Sequence, residues 1–153
     1  MPTTEATLSV NQLVVEARAA WDAYREQLTA FGANPASASL EPLLEVATPE
    51  VAAAHLENFE DAAARHVHTE GARTTTAFQI SDASRPPASL VVDVCVDLSQ
   101  ERYVGDEGLD LTPTDRERVR SSTVTLTERV EGNGYIVAAE APFSGPEESD
   151  PCV

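Results

Sequence analysis

The sequence predicts an α+β fold, with two N-terminal helices packed on a curved antiparallel sheet of about four strands. Three observations predict it. Apolar residues recur every three or four positions through the first seventy residues. From residue 73 onward they alternate every second position. Helices precede strands rather than alternating with them, and such an order packs helices on one sheet face. The 153 residues suffice for one core and not for two ordinary domains. The expected organisation is a disordered tail over 1–8, one domain over 9–143 and a C-terminal tail over 144–153.

Ser9-Val10-Asn11-Gln12 fits a capping box that opens the first helix. Val10, Val14, Ala17, Trp21, Tyr24, Leu28 and Phe31 then form one apolar stripe, and Gly32 with Asn34-Pro35 ends it. Leu40 to Val46 fits a short helical turn. Thr48-Pro49-Glu50 starts the second long helix, with Thr as N-cap, Pro at the first position and an acid in the first turn. This helix is expected to reach about Thr69, with Gly71 beyond its end and Ala52, Leu56, Phe59, Ala63 and Val67 inward.

Strands are expected at 73–81, 89–98, 119–130 and 135–142. Ser84-Arg85-Pro86-Pro87 reads as a turn, 99–117 mainly as loop, and Gly132-Asn133-Gly134 as a hairpin. In the second strand Leu90, Val92, Val94, Val96 and Leu98 point one way, so this aliphatic row faces the helices. Asp93, Cys95 and Asp97 then lie on the outer face. By the same alternation Phe78, Ile80, Val124 and Leu126 point inward, and Arg73, Thr75 and Gln79 outward.

Composition removes several function classes. Acidic residues number 26 and basic residues 10, all Arg, for a net charge of −16. A nucleic acid or an anionic membrane surface requires the opposite balance. No apolar run approaches the roughly 18 residues of a membrane span. Met1 to Thr7 carry neither the basic nor the apolar region of an export signal, which fits a cytoplasmic start or the stub behind a removed leader. Cys95 and Cys152 show no zinc spacing. The tail could cross the outer face and bring Cys152 to Cys95, or both thiols could be free. Serine-hydrolase, phosphate-loop, zinc-protease and calcium-loop motifs are all missing from the sequence.

The arrangement resembles the nuclear transport factor 2-like (cystatin-like) fold, and more narrowly small actinobacterial envelope lipoproteins that carry such a domain. The residues that carry the likeness are Ala20-Trp21-Asp22-Ala23-Tyr24 in the first helix and the Ala-rich second helix before Gly71. Val92-Asp93-Val94-Cys95-Val96-Asp97 in a central strand and the terminal Tyr135-Ile136-Val137 complete it. A lipobox is absent, and Tyr135 stands where the group usually has Trp. The resemblance implies a cone between the helices and the concave sheet face, a Cys95–Cys152 disulfide and an extracytoplasmic, cell-envelope location.

That cone sets the test for each candidate residue. Asp93 and Asp97 lie about 13 Å apart along one strand, too far for an acid–base pair, and are expected to pair with Arg73 or Arg129. His55 and His66 lie about 16 Å apart along a helix and cannot share a metal. Trp21, Tyr24 and Phe59 read as core or as the lining of a ligand pocket. His66 is a candidate general base, and Arg120 a candidate anion-binding group at the cone mouth. No metal and no cofactor is expected. The leading reading is a non-enzymatic extracytoplasmic accessory domain for protein–protein interaction or for binding a small apolar ligand. The alternatives are a small enzyme of isomerase, cyclase or hydrolase type, using a His or carboxylate in the cone, and a cytoplasmic binding module that dimerises through its open sheet face.

Overall fold

A computed structural model describes residues 10–82, 89–129 and 134–153. Helix α1 spans Val10–Ala33, followed by a short α2 at Leu40–Leu44 and α3 at Pro49–Ala64. Six strands follow: β1 His68–Glu70, β2 Thr74–Asp82, β3 Ser89–Asp97, β4 Arg102–Val104, β5 Val119–Glu128 and β6 Tyr135–Pro142. The main sheet is antiparallel in the order β2-β3-β5-β6, and β1 pairs with β4 in a separate two-stranded sheet. This is the α+β cone expected from the sequence. The expected Ser9 cap, the 84–87 turn and most of the 132–134 hairpin lie outside the described residues.

The core is the predicted one. Leu90, Val92, Val94, Val96 and Leu98 are buried on the helix side, with Val124, Leu126 and Val137 beside them. Ala17, Trp21, Tyr24, Leu28 and Phe31 of α1 pack onto this layer, while Val14, at the start of the stripe, is exposed. Leu43 and Ala47 fill the far end of the core. The segment around Ala47 also joins the β6 edge: Thr48 N–H donates to the Val137 carbonyl at 2.9 Å, and Val137 N–H to that of Val46 at 3.0 Å. This pairing covers part of a sheet edge that would otherwise be open.

Four expectations are corrected. First, α3 stops at Ala64, not near Thr69. His66 takes a left-handed conformation at φ 59°. Its N–H donates to the Ala63 carbonyl and that of Val67 to the Ala62 carbonyl. That pattern is a helix stop in which His66 occupies the place glycine usually takes. Val67 therefore leaves the helix, and His68 begins β1. Gly71, at φ 80°, serves the turn after β1 instead; a side chain there would collide with the Gln100 carbonyl.

Second, the region 99–117 contributes β4. Third, Thr75 and Arg73 face the helix side rather than the outside. The β2–β3 register slips between Thr75 and Ala77, and one extra residue reverses the side of everything before it. Fourth, the strand aspartates form no ion pair with arginine among the described residues. Asp93 accepts from the Thr123 hydroxyl at 2.8 Å, and Asp97 from the Ser99 N–H at 2.8 Å.

The outer face carries the C-terminal tail. Cys95 and Cys152 are disulfide-bonded, with Cα atoms 5.0 Å apart. Asp150 accepts from the Ser121 hydroxyl and from the Cys152 N–H, and Gln79 donates to the Ser149 carbonyl at 3.4 Å. Part of the face expected to be open is thus occupied by this chain itself. No helix among the described residues is long and apolar enough to cross a membrane.

Candidate functional site

The concave side of the fold is not filled. A cavity of about 530 Å³ lies between α1, α3, the β1–β4 pair and the inner sheet face. Its size falls within the range usual for small-molecule sites, roughly 300–1,000 Å³. Leu28 of α1, Phe59 and Ala62 of α3, Val67 and Pro35 form its apolar wall. Arg25, Arg65, Arg73 and Arg120 line it too, opposed by Asp61, Glu101 and Glu140. Thus four of the ten arginines in a strongly acidic chain face one cavity, against three of its 26 acids.

Three of these arginines have protein partners. Arg73 donates through Nε to both Glu101 oxygens, at 3.1 and 3.2 Å, in a largely buried pair. Burial opposes the Arg73 charge, but the hydrogen bond and charge of Glu101 prevail and raise its pKa. Glu101 is held in turn by Arg116, whose guanidinium donates to the carbonyls of Glu101 and Leu98 at 2.6 and 2.8 Å. Arg65 pairs with Asp61 and Arg120 with Glu117, both in exposed contacts worth little to stability.

Arg25 differs. Its guanidinium carbon lies 6.0 Å from the centre of the Trp21 ring, and its buried Nε has no hydrogen-bond partner among the described residues. Burial lowers its pKa and the Arg73 charge lowers it further, against the opposing pull of Glu140, Tyr24 and Glu101.

Behind Arg25 runs a hydrogen-bonded chain. The Tyr24 hydroxyl donates to Glu140 at 2.9 Å and lies 2.8 Å from His55 Nε2. A phenol has one proton. If Glu140 receives it, Nε2 of His55 must carry the hydrogen, and in the neutral ring Nδ1 is then bare. Burial lowers the His55 pKa, Glu140 opposes this, and Arg25 and Arg73 reinforce it. The Tyr24 phenol is raised by burial and then by Glu140. It is a fixed hydrogen-bond donor near neutral pH, not a proton source.

Of the residues singled out from sequence, Phe59 and Arg120 line the cavity. Trp21 and Tyr24 lie behind its wall: both are buried, their rings 5.5 Å apart, and Trp21 Nε1 donates to the Thr75 hydroxyl at 2.9 Å. His66 is exposed beyond the α3 terminus and takes no part in the lining. Sequence reasoning missed Arg25, His55, Arg73, Glu101 and Glu140 as one group. Arg25 follows Tyr24 directly, at the edge of the apolar stripe, and that placement was the available signal. Among the described residues no cluster of His, Cys, Asp and Glu fits a metal ion.

No protein-family model and no curated protein matches the sequence. Solved structures do resemble the fold. The crystal structure of the intermembrane space region of the chloroplast protein ARC6 superposes with a TM-score of 0.61, covering 86% of this chain and 97% of that one at 10% identity. The two share a fold. A structure of Aln2 from a Streptomyces species covers 89% of this chain and 94% of its own at 13% identity, with a TM-score of 0.49.

Proposed function

We infer that this chain is an extracytoplasmic, non-enzymatic domain of the nuclear transport factor 2-like type that holds a small, largely apolar molecule in its cone. One observation carries this reading: the cone contains an open cavity of about 530 Å³ beside Leu28, Phe59 and Val67. The location is supported by the bond between Cys95 and Cys152, because disulfides persist in oxidising compartments. The ARC6 region that shares the fold is itself an intermembrane space region, so the fold is used outside the innermost compartment in at least one other protein. The bonded cysteines count against a cytoplasmic dimer. The fold over residues 9–143 is read as one domain with its tail tied down.

The test is a titration with N-phenyl-1-naphthylamine, a neutral apolar fluorophore. Saturable binding at one site per chain is expected, and Leu28→Trp, which fills the cavity, abolishes it. Absence of saturable binding overturns the reading.

A second reading is favoured by the hydrogen-bonded chain of Tyr24, His55 and Glu140, which sets His55, its pKa lowered by burial, at the wall of an open cavity. That is the arrangement an enzyme needs. Catalysis requires turnover: a small molecule whose mass or isomer composition changes on incubation, with conversion stopped by Glu140→Gln.

A further inference from the structure

We propose that the cavity is an anion site with an apolar extension, in which Arg25 and the terminal nitrogens of Arg73 grip the oxyanion head of an amphiphile while Leu28, Phe59 and Val67 hold its tail. The proposal deepens the binding reading above and rests on it.

The argument starts from unused donors. A guanidinium presents five N–H groups in a planar fork. Arg25 makes no hydrogen bond or ion pair among the described residues. Arg73 meets Glu101 only through Nε, so its two terminal nitrogens are uncommitted among the described residues. Both side chains line the same cavity, and the Arg73 charge disfavours that of Arg25, with Glu140 and Glu101 opposing. Two desolvated like charges left together are costly, and leaving a buried donor unpaired adds to the cost. An oxyanion between them relieves both, and a bidentate guanidinium contact suits a carboxylate or a phosphate.

Charge pairing agrees. Asp61, Glu101 and Glu117 each take one arginine. Glu140 is near enough to act on Arg25, yet its hydrogen bond comes from Tyr24. Arg25 alone of the cavity arginines lacks a contact partner among the described residues. The Trp21 ring, its centre 6.0 Å from the Arg25 guanidinium carbon, adds a cation–π contact but no hydrogen-bond acceptor. Leu28, Phe59, Ala62 and Val67 form an apolar wall beside the charged one, so the complementary molecule has one charged end and a hydrocarbon body.

The experiment measures binding of four probes by calorimetry: decanoate, decyl phosphate, decanol and inorganic phosphate. Decanoate or decyl phosphate should bind roughly ten to a hundred times more tightly than decanol, the value of charged hydrogen bonds in a dry site. The tighter of the two charged probes identifies the head as carboxylate or phosphate. Arg25→Met should remove that advantage while leaving decanol affinity unchanged, and should raise the melting temperature of the empty protein. Decanol binding as tightly as both anions overturns the proposal and leaves the apolar cavity reading standing. Failure of all four probes overturns both. Inorganic phosphate binding as tightly as decyl phosphate removes the apolar extension. The comparison among probes uses the unaltered protein, so the outcome stands even if Arg25→Met does not fold.

Discussion

The two faces of the main sheet treat polar groups in opposite ways. On the outer face Asp93 meets Thr123, Asp150 meets Ser121 and the Cys152 N–H, and Cys95 is bonded to Cys152. These groups are held by this chain's own atoms. On the inner face the polarity is graded. Leu90 opposes Leu126, and Val92 opposes Val124; further along the same strands Val94 opposes Ser122 and Val96 opposes Arg120. At this polar end sit Arg73 and, across the cavity, Arg25 with its unpartnered Nε. A surface whose polar groups are satisfied internally is built for stability. A concave surface that leaves a desolvated cation without a partner gives up stability, and such costs gather at functional sites.

The largest test breaks the outer face. The disulfide closes 57 residues, for which chain entropy gives about 4 kcal/mol. Against a total stability of roughly 5–15 kcal/mol that is a large share. Cys95→Ala with Cys152→Ala should therefore lower the urea midpoint strongly, and the unaltered protein in reductant should match it. Fluorophore binding in the cavity should survive, because the bridge lies on the opposite side of the sheet. An unchanged midpoint would mean that the hydrogen bonds around Asp150 hold the tail alone.

The next test addresses the inner face, behind the cavity wall. Tyr24→Phe keeps the buried ring but removes the hydroxyl shared by Glu140 and His55. Leaving a carboxylate without its donor costs about 2 kcal/mol. A thermal melt should show that loss, and Glu140→Gln in the Tyr24→Phe background should recover part of it, since the amide has no charge to satisfy. A melt that does not move would remove Tyr24 from the support of the site.

How much of this was legible in the sequence follows from which physical signal each feature uses. The aliphatic row of β3 and the stripe of α1 came from periodicity, because burial of a whole face imposes a period. The tail's approach to Cys95 came from the same alternation, together with the family resemblance. The cavity's polar wall did not. Strict alternation puts Arg73 and Thr75 on the wrong face, because one extra residue near Thr76 inverts it and a bulge has no side-chain signature there. The helical pattern runs through His66 although the helix ends before it, since a histidine in the left-handed conformation gives none of the warning a glycine would. Glu101 and Glu140 come from a turn and a strand far apart in sequence, and only the fold brings them to one cavity.

The smallest effect is a matter of pH. His55 lies on the cavity wall with its pKa lowered by burial, with Arg25 and Arg73 adding to the shift and Glu140 working against it. The group is thus more easily protonated in the unfolded chain, where an imidazole titrates near about 6.5. As the pH falls through that value the unfolded state takes up a proton that the folded state refuses, so stability declines with acidification. The shift at Asp150 acts lower. Its carboxylate is held below the usual range by Ser121 and the Cys152 N–H, so its contribution is lost only as the pH falls below about 4. Denaturation midpoints followed between about pH 7.5 and 5 therefore isolate the inner face. They should fall with pH in the unaltered protein and fall less in His55→Gln. If both proteins show the same slope, His55 is not desolvated, and the contrast between a saturated outer face and an unsaturated inner one loses its titratable member.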